Sequence, residues 1–240
     1  MGQNESQIIE GGCYHRHEES WRYLKTMGNQ RSLRVPIASE GWPFILAPTG
    51  VALLLLWLGR PKAALAFAVL ALFMLYFFRD PERIPPERPG AVLAPADGKV
   101  VEIREVTDHF VGPGRQVSIF LSPLDVHVNR APIGGLVAGV EYRAGRFLPA
   151  YRAEASELNE RATVRLEGQD VRVTVTQIAG VLARRIVCRL GGGEKLQAGE
   201  RFGMIRFGSR VDLVLPRSVR MEARAGDRVR AGETIIGVFV

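Results

Sequence analysis

The sequence predicts a mainly β protein: a barrel-sandwich-like domain preceded by an N-terminal hydrophobic helical hairpin. Three observations lead there. Residues 42–58 and 63–78 are apolar runs parted only by Gly59-Arg60-Pro61-Lys62. Beyond residue 90, short runs alternate apolar and polar residues between Gly, Pro and Asp-Gly turns, the pattern of an all-β sandwich or barrel. The tail then repeats a Gly-acid turn at Gly226-Asp227 and Gly232-Glu233.

Residues 1–35 form a polar, irregular extension without the apolar core of a secretory signal, and Met27 offers a second possible start. Residues 36–80 hold the hairpin. Neither apolar run has a polar face, and a helix apolar all round is buried or in lipid. A pair of core helices is the plain alternative. Each run falls short of the ~20 residues that cross a bilayer comfortably, and Pro43 and Pro48 interrupt the first. Spanning and re-entrant insertion therefore both stay open. Arg22, Lys25, Arg31 and Arg34 before the pair, with Arg79, Arg83 and Arg88 after it, place both ends on the cytoplasmic side of the cell membrane. Arg60 and Lys62 in the turn oppose a full crossing. Residues 81–90, rich in Pro and charge, read as a stiff linker.

Residues 91–240 form the β-rich domain. Strand-like runs fall at 99–106, 116–121, 136–142, 162–166, 171–178, 182–190, 211–215, 219–223 and 234–240. Residues 146–161 break the pattern, and a break that long in a compact β domain is usually functional or mobile. Phe147, Leu148 and Tyr151 on it suit contact with lipid or packing under a barrel rim. The tail turns resemble the hairpins of biotinyl and lipoyl carrier domains. No lysine follows Lys195, so the likeness concerns architecture and not carrier activity.

The chain of 240 residues carries a net charge of +7, which suits an anionic membrane or a nucleic acid. Its arginines are scattered, with no aromatic-studded strand pair to stack bases, so no nucleic-acid partner is expected. Two cysteines, Cys13 and Cys188, make no disulfide framework. Cys13 near His15 and His17 lacks further ligands at suitable spacing, so no metal is expected.

Chemistry gathers at three places. Asp97 lies in Pro95-Ala96-Asp97-Gly98-Lys99, His127 in the segment 122–132, and Ser209 in Phe207-Gly208-Ser209-Arg210. Acid, imidazole and hydroxyl are the parts of a relay that activates a serine. Each also has an ordinary explanation: Asp-Gly makes turns, His127 alternates with Val126 and Val128 as a strand residue, and Ser after Gly is common in loops.

The surrounding motifs resemble the phosphatidylserine decarboxylase family, most of all its short form common in bacteria and archaea. They are Phe77-Phe78-Arg79-Asp80-Pro81-Glu82-Arg83, Ala94-Pro95-Ala96-Asp97-Gly98, the segment 121–132, Asn159-Glu160-Arg161, Ala183-Arg184-Arg185, and Gly203-Met204-Ile205-Arg206-Phe207-Gly208-Ser209-Arg210. The likeness covers about residues 40–240 and leaves the first 35 outside.

That resemblance implies self-cleavage between Gly208 and Ser209. His127 would take the Ser209 proton, with Asp97 fixing the imidazole tautomer. A large chain (1–208) and a small chain (209–240) would result, the latter capped by a pyruvoyl group formed from Ser209. This covalent cofactor would serve as electron sink while phosphatidylserine, drawn from an anionic membrane, loses carbon dioxide to give phosphatidylethanolamine. Longer family members carry a second histidine where this chain has Arg130. Either His127 serves both stages here, or Arg130, with Asn129 beside it, binds the substrate carboxylate or phosphate. A membrane-anchored adaptor without catalysis, or a serine hydrolase using Asp97, His127 and Ser209, would explain parts of the same sequence. A homo-oligomer, and cleavage within or between chains, are left open.

Overall fold

The computed structural model describes residues 36–146, 158–180, 185–206 and 209–239. The chain divides into two compact units between Glu82 and Arg83. The polar extension 1–35 lies outside the described residues, as do Phe147, Leu148 and Tyr151.

In the first unit a 3-10 turn, Ser39–Gly41, leads into α1 (Trp42–Trp57), and α2 (Pro61–Phe77) returns. Pro43 sits in the first turn of α1, where a missing N–H is harmless. Pro48 lies inside the helix and removes the bond to the Phe44 carbonyl. Gly59, at φ +68°, ends α1 in the left-handed region, and Arg60 N–H returns to the Leu55 carbonyl at 2.8 Å. At the open end Ala38 N–H bonds to Phe78 O at 2.8 Å and Asp80 N–H to Pro36 O at 2.7 Å. Ile45, Ala52 and Ala64 are buried between the helices, while Leu46, Leu53, Trp57, Leu65 and Leu72 face outward. Residues Ser39–Trp57 are long and apolar enough to cross a membrane; α2 is apolar but shorter.

The second unit is built on an eight-stranded antiparallel sheet curled into a half barrel. Its order is β13 (Arg228–Val229), β2 (Gly98–Asp108), β3 (Gly112–Leu121), β11 (Ser209–Pro216), β7 (Arg172–Ala179), β6 (Arg161–Glu167), β5 (Gly135–Arg143) and β9 (Lys195–Leu196). Two three-stranded sheets accompany it. One joins β1 (Ala91–Leu93), β14 (Ile235–Phe239) and β12 (Val219–Met221). The other joins β4 (Val128–Arg130), β10 (Arg201–Ile205) and β8 (Ile186–Cys188).

Alternation sets the core, because side chains two apart share a sheet face. Val117, Ile119 and Leu121 of β3, Ala162, Val164 and Leu166 of β6, and Val211, Leu213 and Leu215 of β11 form one apolar cluster. The intervening residues of β3 and β11, among them Gln116, Ser118, Arg210 and Asp212, are also buried but polar. The stretch 81–90 is partly engaged by this unit: Arg83 pairs with Asp97 and Glu233, and Arg88 with Glu222.

Candidate active site

The site lies at one end of the large sheet, where β3 finishes, β11 begins and β7 finishes. Ser209, the first residue of β11, pairs with Leu121 on one side and Ala179 on the other. Strand β10 stops at Ile205, and Ile205 N–H bonds to the His127 carbonyl at 3.3 Å. Two short chain segments, 121–127 and 205–209, are thus tied to each other at both ends. The ties are Leu121 paired with Ser209 and the His127 carbonyl bonded to Ile205. Gly208 lies outside the described residues.

His127 is fully buried, and its Nδ1 stands 2.9 Å from the Asp125 carbonyl oxygen. A carbonyl only accepts, so Nδ1 donates its hydrogen there, which in the neutral ring makes Nε2 the accepting nitrogen. The turn that presents this carbonyl is held by Ser122 N–H bonding to Asp125 Oδ2 at 2.8 Å and Asp125 N–H to Ser122 O at 3.0 Å. An imidazole whose Nε2 is the accepting nitrogen is the tautomer a general base needs.

Asp97 enters from the adjacent strand, since Lys99 of β2 pairs with Phe120 of β3. Gly98, at φ +151°, passes so near the Phe120 carbonyl that any Cβ there would strike it. The Asp97 carboxylate is nearly buried. Its Oδ2 accepts from Arg83 Nη2 at 2.9 Å and its Oδ1 from Ala231 N–H at 2.7 Å. Arg83 also donates Nη1 to Glu233 Oε2 at 2.7 Å. At His127 Nδ1 the partner is a backbone carbonyl, and Asp97 ties the β2 entry to the tail turn and to Arg83.

Asn129 and Arg130 are both enclosed. Asn129 Oδ1 accepts from Gln177 Nε2 at 2.8 Å, and its Nδ2 donates to Pro95 O at 3.4 Å. Arg130 donates Nη1 to the Gly199 carbonyl at 3.0 Å, and its backbone N–H bonds to Pro95 O at 3.0 Å. These bonds brace β4 against the Asp97 loop, which favours a supporting role over contact with a head group.

Residue type alone gave no notice of two further features. Arg210, next to Ser209, is buried with Nε on Asp212 Oδ1 at 2.7 Å and Nη2 on Ser118 Oγ at 2.6 Å. Gln116 Nε2 closes the cluster on Asp212 Oδ2 at 3.0 Å. Alternation along β11 was the available signal, because it sets Arg210 and Asp212 on one face. Arg206, just past β10, is half-buried, and burial first and the nearby Arg185 charge second push its guanidinium pKa down. Among the described residues no group of His, Cys, Asp and Glu is placed to hold a metal ion. Cys188 is buried, and Cys13, His15 and His17 lie outside the described residues.

Residues 70–237 match the family model described as phosphatidylserine decarboxylase. The phosphatidylserine decarboxylase proenzyme of Chlorobium limicola is 44% identical over 207 residues, covering 83% of this chain and 98% of that protein. The proenzyme of Symbiobacterium thermophilum is 50% identical over 206 residues, covering 84% and 94%. That of Nitrosomonas europaea is 45% identical over 207 residues, covering 85% and 95%. Matches of that identity along almost the whole of each relative leave one assignment: the chain belongs to the phosphatidylserine decarboxylase family.

Proposed function

We propose that this chain is a self-processing, pyruvoyl-dependent decarboxylase that converts phosphatidylserine to phosphatidylethanolamine and carbon dioxide. The observation that supports it most is the double tie of Leu121 to Ser209 and of His127, its Nδ1 on the Asp125 carbonyl, to Ile205. His127 Nε2 takes the Ser209 hydroxyl proton, and the oxygen attacks the Gly208 carbonyl carbon. The Gly208–Ser209 C–N bond breaks, so residue 208 is held by an ester and residue 209 carries a free amine. Loss of the Ser209 α-proton and of the ester oxygen from Cβ releases residues 1–208 as a carboxylate. Water then replaces the nitrogen of the dehydroalanine left behind, giving a ketone and ammonia.

A ketone at residue 209 suits this fold. The cut falls between β10 and β11 and severs no strand. Every strand of residues 209–240 keeps a partner: β11 pairs with β3 and β7, β13 with β2, β14 with β1, and β12 with β14. The new chain end therefore stays between Leu121 and Ala179. A ketone conjugated to the Arg210 amide takes up the substrate amine and accepts the electron pair freed as carbon dioxide leaves. His127 is the proton donor to the α-carbon, and Asp97, clamped by Arg83 and Ala231, keeps the β2 entry loop in place. The apolar hairpin holds the enzyme on the cytoplasmic face of an anionic membrane, which raises the local concentration of its lipid substrate.

Denaturing mass spectrometry tests the scheme. The purified protein should appear as two chains, the smaller beginning at residue 209 and blocked to N-terminal sequencing. Ser209→Ala should stay one chain of 26.5 kDa and be inactive. An intact wild-type chain would point to an adaptor or a hydrolase, which a serine-directed phosphonate then tells apart.

A further inference from the structure

Leu124 is 61% exposed in the middle of a tight turn, Ser122–Asp125. The turn is drawn closed by Ser122 N–H on Asp125 Oδ2 at 2.8 Å and by Asp125 N–H on Ser122 O at 3.0 Å. It directly follows Leu121, the sheet partner of Ser209, and its Asp125 carbonyl holds His127 Nδ1. One exposed leucine is ordinary on a protein surface. Its surroundings give this one a meaning.

Arg228 Nη1 lies 3.3 Å from Asp125 Oδ1, which brings β13 against the turn. Arg228 stands opposite Lys99, and Lys99 opposite Phe120. Residues directly opposite present their side chains on the same face of a sheet, so the two cations sit side by side. The tail turn is docked on β2 by Gly226 N–H on Val100 O at 2.8 Å and by Val100 N–H on Asp227 O at 2.9 Å. Arg224 on that turn is exposed, as is Val101, which follows Val100. The acids here are engaged by backbone: Asp125 Oδ2 accepts from Ser122 N–H, and Asp227 Oδ2 from Arg224 N–H at 2.8 Å. Lys99 and Arg224 have no acidic partner among the described residues. The end of the sheet where β11 begins therefore shows water an apolar knuckle flanked by cations.

Resting on the decarboxylase reading, we propose that the Ser122–Asp125 turn is a membrane contact of the β unit itself. Leu124 enters the head-group region of an anionic bilayer, while Lys99, Arg224 and Arg228 meet its negative surface. The leucine gains by leaving water, and the cations gain near anionic lipid. A protein partner would need an apolar hollow with an acidic rim. An anionic bilayer offers both, and it is where the substrate resides. The contact brings the strand end that carries residue 209 to the lipid surface, so a head group reaches it while the acyl chains stay in the bilayer.

The test uses full-length Leu124→Ser and the double variant Lys99→Gln with Arg224→Gln, each first checked for self-cleavage by mass spectrometry. All three side chains are exposed, so cleavage should be normal. On phosphatidylserine in phosphatidylcholine vesicles, kcat/KM should fall about tenfold for Leu124→Ser and about fivefold per cation for the double variant. On a short-chain phosphatidylserine dispersed as monomers, both should match the wild type. A fluorophore at position 124, attached through Leu124→Cys in a Cys13→Ser background because Cys188 is buried, should be quenched by spin-labelled lipid in phosphatidylserine vesicles. If Leu124→Ser is not cleaved, the double variant and the fluorophore decide. Equal losses on vesicles and monomers would overturn the contact, because the turn would then act through His127. An unquenched fluorophore would overturn it too, and a lower oligomer mass for Leu124→Ser alongside would assign the knuckle to a second copy of the chain. An uncut or inactive wild type would instead defeat the decarboxylase reading, with the quenching still reporting on the contact.

Discussion

The two units invert each other. In residues 36–82 large apolar side chains are outside: Trp57 is 82% exposed, Leu65 66% and Leu53 62%. In the β unit charged and polar side chains are inside: His127 and Gln177 are 0% exposed, Arg210 3% and Asp212 4%. Leaving a leucine in water forfeits about 1.5–3 kcal/mol of burial, so a row of them makes sense only where the surroundings are apolar. Burying a polar group costs a similar amount unless it is bonded, and the β unit supplies most of those bonds, Gln177 Oε1 being an exception. The helices present an apolar exterior, and the strands enclose bonded polar groups away from water.

Changing the buried polar side of this contrast should have the larger effects. His127→Ala removes the only imidazole tied to the Ser209 junction among the described residues. Self-cleavage, followed as the disappearance of the 26.5 kDa chain, should slow by about 10²–10⁴-fold, the usual worth of a positioned general base. A normal fragment yield would take His127 out of the relay. Next comes Arg210→Met, which leaves Asp212 buried without its guanidinium. Breaking such a pair from one side destabilises by about 3–5 kcal/mol. The midpoint of denaturant unfolding in detergent should fall accordingly, and Arg210→Met with Asp212→Leu should recover much of the loss. An unchanged midpoint in the single variant would mean the cluster is not holding β11.

The apolar exterior is tested by the opposite change. Asp at Leu53 or Leu72, both outward-facing, should weaken membrane partition by about 2.5–3.5 kcal/mol per residue if the position lies at bilayer depth. In detergent-free lysate the wild type should sediment with membranes, and the double variant should shift toward the supernatant. A wild type that stays in the supernatant would show that the exposed leucines face something other than lipid.

Long patterns in this sequence carried their structure openly, and short ones did not. The apolar runs became α1 and α2, and the alternating runs became β2, β3, β5, β6, β7 and β11, since period two is visible once a strand exceeds about five residues. Strands β1, β4, β9, β10 and β13 have two to five residues, too few to show a period. That gap matters, because β4 and β10 form the pairing that leads to the bond between Ile205 N–H and the His127 carbonyl. Asp97, His127 and Ser209 were legible as residue types in motifs. The partner of His127 Nδ1 was not, because a backbone carbonyl leaves no trace in residue identity. Arg83 illustrates the same limit: beside an apolar run it counts as a flanking charge, yet its partners are 14 and 150 residues away. Contacts that distant depend on topology that local pattern does not encode.

The smallest expected effect lies on the rim of the β unit, where polar groups are neither fully inside nor fully outside. Burial alone would raise the Glu141 carboxyl pKa, but bonds from Arg165 Nη2 at 2.7 Å and Arg143 Nε at 2.5 Å outweigh it and hold the carboxyl below its ordinary value. A carboxyl lowered on folding contributes stability above its unfolded pKa, and that contribution disappears as pH falls through the folded value. Because Arg143 is 53% exposed and Arg165 32%, solvent screening limits the gain to about 1 kcal/mol or less. Glu141→Gln should therefore unfold slightly earlier than wild type at pH 7, with the difference narrowing as the pH drops below the usual carboxylate range of about 4. Denaturant midpoints at pH 7 and in that acidic range decide it. A gap that stays constant or widens on acidification would show that Glu141 acts through packing on β5 rather than through its charge, and would place this rim with the apolar exterior instead of the polar interior.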